Sequence, residues 1–298
     1  KTQYMRPDES IRQIGFQESD MVGLMSTLTK YSVMVTRPED IRYELEKAIH
    51  LMKSGRPGPV HLDIPIDIAK ALIVPEDLHP YDITMTMAFD EEQINKQIDE
   101  FINDLQKAER PVLMVGGGVR LADAEKDILE LGNKLKIPVF PTWNALDIIC
   151  SDYPYYGGRI GTYGGPGRNF GVQNADLLLA IGSRISGRIT GGNVEPAALQ
   201  KKLQQVPFDV CVLSDARLFI KLALKRLEEI PDFSGWLAKC LEWREKYDPV
   251  TDDMFQDSKH VNQYAFTRIL SEEMSSKDIL VGDCGGNIVV INHSFKTK

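Results

Sequence analysis

The chain lacks most of the features by which a sequence announces its chemistry. Only four of its 298 residues are cysteines, Cys150, Cys211, Cys240 and Cys284, and no two form a CxxC pair. That spacing argues against a disulfide framework and against a zinc site, and leaves reduced, buried thiols as the expectation. The five histidines, His50, His61, His79, His260 and His293, are equally scattered, with no HExxH pattern, so no metal site is expected from this chain alone. There is no run of about 18 apolar residues. The opening Lys1-Thr2-Gln3-Tyr4 has neither the charged nor the apolar region of a signal peptide. A cytoplasmic protein with no membrane partner is the expectation. No basic stripe interrupts a net charge of -8, which excludes nucleic acid as a partner. GxSxG elbow, GxxxxGK[ST] loop and trustworthy paired-carboxylate spacing are all missing. The chemistry must come from a bound cofactor or from residues outside this sequence.

What is present is ordinary for a folded protein: 43% hydrophobic and 26% charged residues. The length suits two domains or one large α/β domain, since single cores rarely grow past about 250–300 residues. Pro38 with Glu39 and Asp40 opens a helix whose apolar residues Ile41, Leu45, Ala48, Ile49 and Met52 share a face. Gly55-Arg56-Pro57-Gly58-Pro59 then turns into an alternating strand, Val60 to Ile64. After a Pro-punctuated linker, Asp90 caps a helix with Ile94, Ile98, Phe101, Ile102 and Leu105 inward. Apolar strands are predicted at Pro111–Val115, Ile137–Phe140 and Leu177–Ile181, and helices over residues 215–227, 233–247 and 261–274, with a last strand opening at Ile279-Leu280-Val281. Helices alternating with apolar strands predict a doubly wound parallel sheet.

Four stretches could bind a ligand. Gly116-Gly117-Gly118 follows a strand, where backbone can approach a phosphate or simply turn tightly. Residues 157–169, rich in glycine with Arg159, Arg168 and Asn169, read either as a loop wrapped around something anionic or flat or as a long mobile surface loop. Arg184 and Arg188, four apart after a buried strand, suit phosphate or exposed ion pairs. Gly282 to Asn287 could hold a diphosphate or be a plain turn.

Taken in order, Gly15-Phe16-Gln17-Glu18, Thr29-Lys30, Gly55 to Val60 with Asp63-Ile64-Pro65, Gly116 to Gly118, Gly161-Thr162-Tyr163-Gly164, Asn174-Ala175-Asp176-Leu177 and Thr190-Gly191 resemble the acetolactate synthase group of thiamine-diphosphate enzymes. The resemblance runs over essentially the whole chain. It implies an internal fragment: residues 1–75 as the end of a pyrimidine-binding domain, 76–89 a linker, and 90–232 a Rossmann-like or sirtuin-like middle domain. Residues 233–254 would form a linker helix region and 255–298 the start of a diphosphate-binding domain. By the same resemblance Gln17 faces cofactor and substrate and Lys30 is the second candidate for a catalytic role. Arg56, Gly116, Gly117, Gly118, Gly161, Thr162, Tyr163, Gly164, Arg184 and Arg188 line the FAD channel of members that bind FAD, and Gly286 and Asn287 fall where thiamine diphosphate is held.

The implied parent is a homodimer or homotetramer that uses thiamine diphosphate with Mg²⁺ to decarboxylate and ligate pyruvate or a related 2-oxo acid. Its catalytic glutamate would lie upstream of Lys1 and its GDG…N metal motif downstream of Lys298, so the fragment alone would be inactive. Two departures stand out: Gly187 where the group usually carries an acid, and Ile66 in place of a lysine. The group would also have an additional helix and strand between Asn193 and Val194. The alternatives are another thiamine-diphosphate enzyme (a 2-oxo acid decarboxylase, sulfoacetaldehyde acetyltransferase, glyoxylate carboligase or cyclic-dione hydrolase) or a non-catalytic nucleotide-binding or structural module.

Overall fold

The computed structural model describes residues 8, 10–16, 18–82, 89–190, 210–256 and 259–298. The chain divides into two compact units, Lys1–Ala88 and Phe89–Lys298.

In the first unit, α1 (Met21–Ser26) precedes strand β1 (Ser32–Met34), a 3-10 turn at Pro38–Asp40 runs into α2 (Ile41–Lys53), and β2 (His61–Asp63) follows. β1 and β2 pair in parallel with Ser32 opposite His61, so α2 is the crossover of a βαβ unit. The short α3 (Ile66–Ala69) comes next. Of the apolar residues expected on one face of α2, only Ala48 is buried; Leu45, Ile49 and Met52 are exposed. Two strands offer too little surface to cover that face.

The second unit opens with α4 (Glu91–Lys107), whose Asp90 cap accepts from the Gln93 N–H at 3.0 Å. Then come β3 (Pro111–Val115), the single turn α5 (Gly118–Leu121), α6 (Glu125–Leu135), β4 (Val139–Pro141), α7 (Pro166–Gln173), β5 (Leu177–Ile181) and the short α8 (Gly187–Thr190). Among the described residues, α9 (Ala216–Arg226), α10 (Ser234–Lys246), α11 (Gln263–Glu273) and α12 (Gly286–Ser294) follow.

The sheet order is β4-β3-β5, all parallel, and β3 sits in the middle with every residue buried. The strand period of two divides its side chains between two cores. Leu113 and Val115 pack with Ile94, Ile98 and Leu105 of α4, Ile128, Leu131 and Leu135 of α6, and Phe219, Ile220 and Ala223 of α9. Val112 and Met114 face the other way, onto Phe140, Val172, Cys240 and the indoles of Trp236 and Trp243. Helices α7 and α10 pack against each other on that side. A parallel sheet needs both faces covered, and the α/β architecture expected from the sequence is the one found.

Two expectations are corrected. Ile279-Leu280-Val281 forms no strand: Ile279 and Val281 are 86% and 87% exposed, and no described strand pairs with them. Extended chain without a ladder partner leaves its N–H and C=O groups to water. The cysteines are free, but only Cys240 is buried; Cys211 and Cys284 are exposed and Cys150 half-buried.

Candidate functional site

Because β3, β4 and β5 run in parallel, their carboxyl ends open on one edge of the sheet. The chain moves from β3 to β4 on one side and then crosses to β5 on the other, so the order reverses between β3 and β5. Open α/β sheets bind ligands at such a crevice. Here it is lined by Gly116 to Gly118 after β3, Trp143 and Asn144 after β4, and Gly182 with the exposed Arg184 after β5.

The glycine triplet is needed first for backbone packing. A Cβ on Gly116 would sit 2.3 Å from the carbonyl oxygen of Gly182, and one on Gly117 would lie 2.8 Å from Cβ of Asn144. The N–H groups of Gly116 and Gly118 donate to the carbonyls of Ile181 and Gly182, both at 2.9 Å. Two of the three amides that could cradle a phosphate are therefore engaged by the neighbouring strand end.

The loop at 161–164 closes over the same edge. Thr162 donates to the carbonyl of Arg188 twice, through its N–H at 2.7 Å and its hydroxyl at 2.8 Å. The rings of Tyr163 and Trp143 stack with centroids 4.9 Å apart at 27°, and the Arg188 guanidinium carbon lies 5.8 Å from the Trp143 ring centroid. Flat aromatic surface beside the exposed Arg188 suits a ligand with a planar ring and phosphates. Trp143 and Asn144 carried no motif; their place directly after β4 was the available signal.

The stretch 157–169 is no mobile surface loop: residues 156–161 are all buried. Nor do its arginines wrap an anion. Arg159, 2% exposed, donates to the carbonyls of Ile291 at 2.8 Å and Asn292 at 3.1 Å, and Arg168 donates to that of His293. Gly158, at φ 106°, gives the Arg168 stem its path, since a Cβ there would meet its Cγ at 2.5 Å. Burial lowers the Arg168 guanidinium from its ordinary range, and burial together with Arg168 lowers the His293 imidazole.

Gly286 and Asn287 stand exposed in the first turn of α12, entered through Gly285 at φ 94°. In the first unit the Lys30 ammonium donates to the carbonyls of Ser54 at 2.7 Å and Arg56 at 3.0 Å, tying the carboxyl end of α2 to the following turn. The Arg56 side chain is exposed. Gln17 lies outside the described residues; its neighbour Glu18 accepts from the N–H groups of Ile14 and Gly15 at 2.9 Å. Among the described residues no three His, Cys, Asp or Glu side chains gather as a metal site, and no helix is long and apolar enough to cross a membrane.

A parallel sheet with a glycine-lined switch point is the frame of a cofactor-binding α/β domain. Residues 98–218 match the family described as "Thiamine pyrophosphate enzyme, central domain". Over 98% of its length the chain is similar to the probable acetolactate synthase large subunit of Methanocaldococcus jannaschii, at 30% identity and covering 52% of that protein. The large subunit of acetolactate synthase isozyme 2 from Escherichia coli is 32% identical over 78% of this chain and 42% of its own. The chain thus spans about half the length of the curated relatives it matches. The first alignment, at 318 positions, is longer than the chain, so that relative has residues without a counterpart here.

Proposed function

We propose that the chain is part of a thiamine-diphosphate-dependent carboligase of the acetolactate synthase type, acting on pyruvate or a related 2-oxo acid. The observation that carries this reading is the similarity to acetolactate synthase large subunits over nearly the whole chain. Thiamine diphosphate, when bound with Mg²⁺, supplies the electron sink for decarboxylation. The protein's part is orientation. Gly286 and Asn287, exposed at the amino end of α12, would meet one end of the diphosphate. Gln17 and Lys30 are proposed for the substrate side. In the second unit, Arg184 and Arg188 would take the phosphates of FAD, and the Trp143 and Tyr163 rings its flat portion. The parent would act in the cytoplasm as a homodimer or homotetramer.

The test is the full-length protein with pyruvate, thiamine diphosphate and Mg²⁺, following CO₂ and acetolactate. Both should form, and only with the cofactor. Acetaldehyde as the sole product would move the protein to the decarboxylases. No thiamine-dependent release of CO₂ from any 2-oxo acid would overturn the reading.

A second reading, a nucleotide-binding module, is favoured by one observation: the strand-end site is assembled within the second unit alone. Purified protein that is colourless, and whose thermal midpoint added FAD leaves unchanged, would remove the FAD assignment. ADP alone raising that midpoint would favour the module.

A further inference from the structure

Arg159, Arg168 and Arg268 converge on the last turn of one helix. Arg159 takes the carbonyls of Ile291 and Asn292, Arg168 that of His293, and Arg268 that of Ser294 at 2.8 Å. In return, Asn292 donates through Nδ2 to the carbonyl of Tyr163 at 2.8 Å, so the loop grips α12 from both directions. The last carbonyls of a helix have no partner within it and carry the negative end of its dipole, which is where cations belong.

As a contribution to stability alone the arrangement is costly. Among the described residues one carboxylate, Asp248, serves the group, bonded to Arg268 at 3.0 Å and 3.9 Å from Arg168. Nε of Arg159, Nε of Arg168 and Oδ1 of Asn292 are buried and find no partner among the described protein atoms. Buried charge left partly unsatisfied is weak evidence for stability, and apolar side chains of similar size would fill the space at less cost. What the guanidinium groups secure is position: directional bonds to successive carbonyls fix both the height and the rotation of α12 in a way that apolar packing does not.

We infer that Arg159 and Arg168 are positioning residues that set where the Gly286–Asn287 end of α12 stands, and so the geometry with which the protein meets a diphosphate. This rests on the proposed role of that helix end. It adds the control of that end by the glycine-rich loop, whose Tyr163 also stacks in the strand-end site.

The test uses the full-length protein with Arg159→Gln and Arg168→Gln, Arg159→Lys as the conservative variant, and Arg226→Gln, from the exposed pair with Asp99, as the control. Backbone amide exchange is read without ligand, and the Kd of thiamine diphosphate with Mg²⁺ by calorimetry. Exchange across residues 286–294 should quicken about tenfold in the Gln variants, with protection of β3 and β5 unchanged, and Kd should rise about tenfold. Arg159→Lys should recover most of both, since an ammonium can still bridge the two carbonyls, and Arg226→Gln should alter neither. Unchanged exchange in α12, or a loss of protection spread evenly over the sheet, would overturn the inference. So would an unchanged Kd in variants whose α12 has loosened. If the wild type binds no thiamine diphosphate, the functional reading and the diphosphate part of this inference both fall, and exchange alone decides whether the arginines clamp the helix. Should Arg159→Gln not fold, Arg159→Lys carries the test with a smaller rise.

Discussion

Gly116 and Gly182 stand back to back across the carboxyl ends of β3 and β5, so close that a methyl group on Gly116 would lie 2.3 Å from the carbonyl oxygen of Gly182. The contact closes the floor of the crevice and holds Gly118, whose N–H also reaches Gly182, in place. Gly116→Ala must push the ends of β3 and β5 apart, and overpacking of this kind costs about 1–3 kcal/mol. Gly235, exposed in the first turn of α10, has nothing within 4 Å of an added Cβ. Gly235→Ala should therefore stabilise, by up to about 1 kcal/mol. Urea midpoints of the two variants should move in opposite directions; movement in the same direction would sink the argument.

Asp215 caps α9, accepting from the N–H groups of Arg217 at 2.9 Å and Leu218 at 3.2 Å. Its replacement by Ala leaves both donors to water and should cost about 1 kcal/mol, while Asn should cost much less. Thermal denaturation of the two variants checks this. Equal losses would mean that charge, and not the cap geometry, is what matters.

The four thiols should separate by reactivity. Burial pushes the Cys240 thiol up to about 12, and burial with Asp152 and Asp147 nearby also raises Cys150. Only the thiolate attacks a disulfide reagent. At pH 8 an aromatic disulfide should label the exposed Cys211 and Cys284 quickly, Cys150 slowly, and Cys240 only once the protein unfolds. Rapid labelling of Cys240 in the native protein would contradict its place against Phe140 and Val172.

His293 makes stability depend on pH in a defined direction. Its imidazole is lowered by burial first and by Arg168 next, with Arg159 adding to the effect. The unfolded chain therefore takes up a proton before the folded one does, and stability falls as pH drops below about 6.5, the ordinary histidine value, toward the lower folded value. Above that range the contribution is constant. Urea midpoints between pH 7.5 and pH 5 should fall less steeply in His293→Gln than in the wild type; parallel slopes would remove His293 as the cause.

Much of the fold was legible because it is written locally. The all-apolar run Pro111–Val115, the second run Leu177–Ile181, and the Asp90 cap ahead of Ile94, Ile98 and Leu105 each depend on neighbours within a turn or a strand, and each is found. Ile279-Leu280-Val281 has the same local pattern, but a strand exists only when another pairs with it, and none does here. The site was legible in outline only. Gly116 to Gly118, Gly161 to Gly164 and Arg188 gather at one sheet edge, yet Trp143 went unseen because nothing near it in the chain marks it.

By itself, then, the sequence determined that the protein is α/β, that β3 is buried on both faces, and which family it resembles, since periodicity, caps and motifs are properties of short segments; β5, whose apolar run also reads as a buried strand, is only partly buried up to Ile181. Tertiary structure alone decided what those glycines and arginines touch. Residues 132 and 133 positions apart had to meet before Arg159 could be seen gripping a helix end instead of an anion, and Gly116 needed Gly182 opposite it before a possible phosphate cradle became a backbone contact. The reason is the same in both cases: a guanidinium donates to whatever acceptor the fold brings within about 3 Å, and the chain's own order does not say which that will be.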